Sequence, residues 1–434
     1  MPELAVDLYG VRVGTLRENS DGFDFVADTE GMRAFGAQST VLSVAVPLTD
    51  APRPRDRAIR RNFFDELLPE GRARARLAGN ARIRADYTIG MLARYGRDVA
   101  GAVRVWDPLA PGEPRTPAVR PASAARIREL IAEVRNAPIG NDSVRRLSSL
   151  AGVQDKFVLA WTPDGWTEPL DGFPSTHIVK PVVPERPSLI FDEEYGSRIA
   201  RHLGLADFDT DLQTFDGHTA LVIERYDRGP ELPDGRLHQE DFNQALGFSG
   251  DGKYESWGHP GLGAIAALLR SHATRAALAD LLRYTTLSIA VGNLDMHAKN
   301  LSIVHRPDGS TALAPIYDVV PQLHLVDDHD FAFRVNGRFG HAEITADDLV
   351  AEGSSWGLRD AAAIVDDILT AVGRAVELEQ PSPGAHPALQ HDIRGYVDNL
   401  LSGRGASARP GPGSATEPRA LPESPGGWGG PVAP

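Results

Sequence analysis

Cysteine is absent from this chain of 434 residues, so neither disulfides nor thiolate chemistry can serve its stability or its function. No run approaches the ~20 apolar residues that a membrane-spanning helix requires. The first ten residues lack the basic stretch and apolar run of a secretory signal. These absences make the cytoplasm the expected compartment and a membrane partner unexpected. An excess of positive charge is missing as well. Fifty-nine acidic residues against 45 basic ones leave a formal charge of −14, which argues against a large face for the phosphates of nucleic acid. Lysine is the scarcest charge: Lys156, Lys180, Lys253 and Lys299 stand against 41 arginines.

What is present is an ordinary globular composition, 42% hydrophobic and 24% charged, long enough for two or three cores. Arginine, alanine, glycine and proline are favoured throughout. Under such a bias a lysine that only needs to be positive can drift to arginine. One that must be a compact point charge cannot, because guanidinium is wider and planar. The four lysines therefore mark positions to examine.

Residues 1–118 read as a small mixed module. Residues 4–16 have the pattern of a hairpin with Gly10 in its turn, residues 40–47 that of a strand, and residues 62–84 that of a helix broken at Pro69 and Gly71. The proline-rich stretch 107–122 reads as a linker, after which Ser123 caps a helix running to about residue 136. Strands follow at 156–161, 177–183 and 219–224, with a helix at 191–203 whose Tyr195, Ile199 and Leu203 share a face. From residue 239 the chain is mostly helical, clearest at 262–270, 275–293 and 360–377. A strand pair at 301–305 and 311–316 turns at Asp308-Gly309. Residues 403–434 are Gly, Pro, Ser and Ala and read as a disordered tail. The expected fold class is α+β, a two-lobed enzyme divided at 1–118, 119–228, 229–402 and 403–434.

The segment Gly292-Asn-Leu-Asp295-Met-His297-Ala-Lys299-Asn300 carries the strongest chemical signal. Asp295 and Asn300 are five residues apart, the D-x-x-x-x-N interval of protein kinase catalytic loops. There the Asp faces the attacking hydroxyl, and the Asn turns back to hold a divalent metal against the phosphates. Lys299 lies between them, where a cation can neutralise the moving phosphoryl group. On spacing alone the segment is equally a polar helix end capped by Asn and Asp. A second carboxylate, Asp318, ends the apolar strand 18 residues after Asn300, where kinases place a metal ligand. Alone it also reads as a turn residue before Pro321.

Lys180 ends the strand His177-Ile-Val-Lys180-Pro and suits contact with the α- and β-phosphates, with Glu194 on the following helix as its expected partner. Residues 221–227 are a strand running into a connector, where Glu224 and Tyr226 would border an adenine. The turn Ala151-Gly152-Val153-Gln154-Asp155-Lys156 allows close backbone approach to phosphates, but as a glycine-containing turn it is weak evidence. Gly247 to Lys253 matches a phosphate-loop spacing, yet Tyr254 replaces the hydroxyl residue that would hold Mg²⁺ and a helix pattern precedes it. His297, His305 and His324 have no metal-ligand spacing and read as polar loop or core residues.

Taken in order, these blocks resemble the HipA family, serine/threonine kinase toxins of bacterial type II toxin–antitoxin systems. Phe63-Phe-Asp-Glu-Leu-Leu-Pro-Glu-Gly71, Ser149 to Lys156, His177 to Pro181, Glu193-Glu-Tyr195, Glu224-Arg-Tyr-Asp-Arg228, His238-Gln-Glu-Asp241, Lys253-Tyr-Glu255, Gly292 to Asn300 and Tyr317-Asp318 carry the likeness across residues 1–400. All four lysines fall inside these blocks. The resemblance implies a protein-kinase-like fold and makes Asp295 the catalytic residue. Asn300 and Asp318 become Mg²⁺ ligands. Residues 151–156, Lys180, Glu224, Tyr226, His297 and Lys299 become contacts to ATP. It further implies autophosphorylation at Ser149, with Ser148 as an alternative acceptor. Glu193 departs from the Asn that the likeness leads one to expect. By the same resemblance the partner is a HipB-like helix-turn-helix antitoxin, through which DNA is met indirectly, and the target is a protein such as an aminoacyl-tRNA synthetase. Two other activities stay open: a small-molecule phosphotransferase, and a nucleotide-binding co-repressor without turnover.

Overall fold

The computed structural model describes residues 3–136, 155–250, 253–326 and 328–409. β1 (Glu3–Leu8) and β2 (Val11–Asn19) form the expected hairpin. Its turn residues Tyr9 and Gly10 both have positive φ, the twist a two-residue hairpin favours. β3 (Gly22–Ala27) and β4 (Val103–Trp106) complete a four-stranded antiparallel sheet in the order β3-β2-β1-β4. Helices α1 (Thr29–Phe35), α2 (Arg57–Asp65), α3 (Gly71–Ala81) and α4 (Thr88–Tyr95) accompany it. The break between α2 and α3 falls at Glu66 to Glu70, where Pro69 cannot continue a helix. Phe63, Phe64, Leu4, Leu8 and Leu92 are fully buried in this module's core.

Residues 40–47 do not form the expected strand. The Val44 N–H donates to Glu240 Oε1 at 2.8 Å and the Ala45 N–H to Ser43 Oγ at 3.0 Å. Backbone donors are thus spent on side chains, while Val41, Leu42 and Val46 fill the core as a plug. The proline-rich linker is shorter than its composition suggests. Its last residues form β5 (Ala118–Pro121), an edge strand pairing with β7 (Gly165–Leu170).

α5 (Ala124–Asn136) follows, then a six-stranded sheet ordered β5-β7-β6-β8-β10-β9, containing β6 (Phe157–Thr162), β8 (His177–Pro181), β9 (Thr210–Phe215) and β10 (His218–Glu224). α6 (Leu189–His202) connects β8 to β9. The remaining chain packs around one large apolar cluster. It holds β11 (His238–Asp241), α7 (Phe242–Ala245), α8 (Leu262–His272), α9 (Arg275–Val291), β12 (Ser302–His305) and β13 (Thr311–Leu313). After these come β14 (Asp330–Val335), β15 (Arg338–Gly340), α10 (Ala346–Ser355), α11 (Ala361–Leu378) and α12 (Leu389–Leu401). No helix among the described residues is long and apolar enough to cross a membrane.

Residues 405–408 are packed, although composition placed them in the tail. Ala406 is fully buried and donates to Ile344 O at 2.9 Å, and Asn399 Nδ2 donates to the carbonyls of Ala406 and Ala408. Residues 410–434, the rest of that tail, lie outside the described residues. The N-terminal module docks directly on the helical half: Asn62 Nδ2 donates to Gly247 O at 2.8 Å, and Gln244 Nε2 to Phe63 O at 2.9 Å.

Candidate active site

α9 ends at Gly292, whose φ of 72° turns the chain out of the helix. Beyond it, Leu294, Met296, Ala298 and Leu301 are buried in the core. The intervening Asp295, His297 and Lys299 carry the polar groups of the loop. The loop is tied to itself. Asn300 Nδ2 donates to Asp295 O at 2.9 Å, the Asn300 N–H to His297 O at 2.8 Å, and the Lys299 N–H to His297 Nδ1 at 3.2 Å. Burial lowers His297 to about 4, so its ring is neutral and can accept that bond.

Asp318 follows β13 with a φ of 58°, a backbone state uncommon outside glycine. The preceding Tyr317 donates to Lys299 O at 3.1 Å and shares a 2.7 Å hydrogen bond with Ser302 Oγ, clamping the two halves of the site together. Lys180 reaches across from β8. Its Nζ lies 2.7 Å from Glu193 Oε1 and 2.6 Å from Asp318 Oδ1. Burial alone would push Asp318 up, but the charges of Lys180 and Lys156 overcome it and hold the carboxyl well below the usual carboxylate range. Burial raises Glu193 to about 7 despite Lys180, and its Oε2 is buried without a hydrogen-bond partner among the described residues. Lys156 is lowered to about 8 by burial and then by repulsion from Lys180.

The lysine partner is therefore Glu193 and not Glu194. One helical position turns a side chain by about 100°, and Glu194 instead pairs with Arg198 at 3.0 Å. Lys299 is corrected too. Its ammonium points to the α2–α3 break, pairing with Glu66 Oε2 at 2.7 Å, with Glu70, and with Gly250 O at 2.9 Å. The Glu224 carboxylate accepts from the Asp209 N–H at 3.3 Å, and the Glu224 N–H donates to Asp209 O at 2.8 Å. Tyr226 stacks on Tyr317 with centroids 6.0 Å apart, making an aromatic wall beside that connector. Asp155 lies 3.9 Å from Arg76. Ala151, Gly152, Val153, Gln154, Ser148 and Ser149 lie outside the described residues.

The sequence motifs gave no site role to two residues that touch Asp295. Tyr254 donates to its Oδ1 at 2.6 Å, and Lys253 Nζ lies 3.3 Å from its Oδ2. The scarcity of lysine was the signal for the second. Asp318 Oδ2 and the Asn300 amide oxygen, its nitrogen being spent on Asp295 O, are hard oxygen donors of the kind Mg²⁺ takes.

Two profile matches cover most of the chain: the HipA N-terminal domain over residues 4–106 and the HipA-like C-terminal domain over residues 148–376. The chain belongs to the HipA family. Y4mE of Sinorhizobium fredii, named as a kinase, is 32% identical over 354 residues, covering 77% of this chain and 83% of that protein. The serine/threonine-protein kinase toxin HipA of Shewanella oneidensis is 27% identical over 370 residues, covering 80% and 83%. A solved structure of the Shewanella oneidensis HipA with HipB and operator DNA superposes with a TM-score of 0.70 at 24% identity, over 92% of this chain and 99% of that one. The two-lobed kinase-like HipA fold follows from that likeness.

Proposed function

We propose that this HipA-family protein is an ATP- and Mg²⁺-dependent protein serine/threonine kinase. Its reading as the toxin of a toxin–antitoxin pair rests on the family and on the Shewanella HipA solved with HipB. One observation carries the catalytic part: Lys180 spans Glu193 and Asp318 at 2.7 and 2.6 Å, beside a loop in which Asn300 is bonded to Asp295. That arrangement supports reading Lys180 as the phosphate-binding cation, Asp318 as the metal carboxylate and Asp295 as the base. Bound Mg²⁺ would supply charge neutralisation of the phosphates, held by Asn300 and Asp318. Asp295 orients the acceptor hydroxyl and takes its proton. Lys180 keeps a third N–H for the α- and β-phosphates. The backbone at Glu224 and the Tyr226 ring cover the base, and His297 holds the loop. By the family likeness, residues 151–156 are assigned to contact with the phosphates and Ser149 to self-modification. The −14 charge suits a chain whose helix-turn-helix partner makes the DNA contacts. The target is a protein of the translation apparatus, such as an aminoacyl-tRNA synthetase.

The test is transfer of labelled γ-phosphate from Mg-ATP to the protein itself and to proteins of a cell extract. Asp295→Asn should lower it by at least ~100-fold with an unchanged thermal midpoint. Equal labelling by that variant removes Asp295 from the reaction. Labelling of metabolites but no protein would instead make the chain a small-molecule phosphotransferase.

A further inference from the structure

Phosphoryl transfer develops negative charge on the oxygens of the moving group, and a cation beside the base is the usual means of offsetting it. Lys299 occupies the right place in the sequence. In space it is spent. An ammonium has three N–H donors, and those of Lys299 face three acceptors, Glu66, Glu70 and Gly250 O. Moving it would strand two largely buried carboxylates, with side-chain exposures of 4% and 13%. Lys180 is committed to Glu193 and Asp318.

Lys253 is differently placed. Among the described residues its one hydrogen bond is the 3.3 Å contact to Asp295 Oδ2. That is long for an ammonium–carboxylate pair, whose usual range is about 2.7–2.9 Å. Two donors remain, and the side chain keeps 19% exposure. Its Nζ rides 5.3 Å above the centroid of the Tyr254 ring, which Trp257 braces edge-on at 4.8 Å. Tyr254 meanwhile holds Oδ1 of Asp295 at 2.6 Å. The oxygen left for an acceptor's proton is Oδ2, the one that Lys253 covers.

We infer that Lys253, and not Lys299, is the catalytic cation that contacts the transferred phosphoryl group, releasing Asp295 Oδ2 as it does so. This rests on the kinase reading. In the step, the acceptor oxygen bonds to the γ-phosphorus and the bond from that phosphorus to the bridging oxygen breaks. ADP leaves with the electron pair, and the acceptor's proton passes to Oδ2. Lys253 keeps its protons and hydrogen-bonds the phosphoryl oxygens throughout. Tyr254 is a positioning residue that acts through Asp295.

The experiment uses the full chain with Mg²⁺ and measures three things: single-turnover consumption of the γ-phosphate of labelled ATP, affinity for a fluorescent ATP analogue, and affinity for ADP with aluminium fluoride, which mimics the planar phosphoryl group. Lys253→Met should slow consumption about 100-fold and weaken ADP–aluminium fluoride by a similar factor, with ATP affinity within ~3-fold of wild type. Lys253→Arg should recover part of both. Tyr254→Phe should slow consumption while leaving the aluminium fluoride complex tight. Consumption by Lys253→Met within ~3-fold of wild type overturns the inference. So does a slowed variant that still binds aluminium fluoride normally, because Lys253 would then act only by holding Asp295. Wild-type protein that binds the ATP analogue but consumes none of its phosphate fails the kinase reading itself, and the inference with it.

Discussion

Two charged clusters meet at the connector after β10, and they are built from different cations. Behind it, Arg225 forks onto both oxygens of Asp227 at 2.9 and 2.8 Å and also donates to Ser175 Oγ and Val99 O. Arg228 donates to Asp98 Oδ1 at 3.0 Å and to the carbonyls of Val99 and Gly101. All four side chains are at most 3% exposed. In front, Lys180 bonds Glu193 and Asp318, Lys253 keeps one long contact to Asp295, a Glu193 oxygen has no partner among the described residues, and the carboxylates of Asp318 and Asp295 are 33% and 30% exposed. The guanidinium cluster is a multiply bonded joint fastening the N-terminal module, through residues 98–101, to the connector. The ammonium cluster has donors in reserve and contacts that can be exchanged. A chain that uses arginine for 41 of its 45 basic residues keeps lysine where a point charge must be shared or moved.

The sharpest way to break this comparison is to swap the cations. Arg225→Lys keeps the charge but cannot fill the fork, leaving buried acceptors unpaired. It should cost ~2–4 kcal/mol of stability in urea unfolding, with turnover per folded molecule unchanged. Lys180→Arg should do the reverse, losing turnover ~100-fold or more while stability moves by only ~1–2 kcal/mol. If Arg225→Lys were neutral, the distinction between joint and cleft would collapse.

The Lys299 clasp lies between the two types: a lysine used as a joint. Lys299→Met leaves Glu66 and Glu70 facing each other without their cation, and should cost ~2–3 kcal/mol, read from urea midpoints. Restoring neutrality with Glu66→Gln and Glu70→Gln in the same chain should recover part of that loss. No recovery would mean that Lys299 contributes by packing.

The clusters also show what a sequence can and cannot disclose. The hairpin at Gly10, the helix broken at Pro69 and the D-x-x-x-x-N loop were legible because turn chemistry, proline and short spacing are local. The choice between Glu193 and Glu194 was not, since it depends on which way α6 rotates against β8. Glu66, Glu70, Lys253 and Tyr254 reach the loop of Asp295 and Lys299 from about 40 to more than 200 residues away, and only tertiary packing brings them there. Residues 40–47 were apolar enough for a strand. A distant carboxylate, Glu240, took one of the backbone donors that a strand would have used. Ala406 was hidden by the small-residue composition around it.

The smallest expected effect concerns pH. Burial raises Glu193 to about 7 from an ordinary value of 4.5. Between those values the folded protein binds a proton at this site that the unfolded chain does not. The stability Glu193 contributes is therefore fully present below about 4.5 and is lost as pH rises through about 7. Asp227 runs the other way. Burial opposes it, yet Arg225 and Arg228 hold it well below the carboxylate range, so its contribution is present above the unfolded value of 3.8 and lost only as pH falls through its lower folded value. Glu193→Gln cannot ionise. Relative to wild type it should gain ~1–2 kcal/mol between pH 5 and pH 8, measured as urea midpoints on the nucleotide-free protein. Asp227→Asn should show no such gain over that range. Parallel pH profiles for wild type and Glu193→Gln would mean that Lys180 keeps Glu193 ionised throughout, and that the cleft is as firmly paired as the joint behind it.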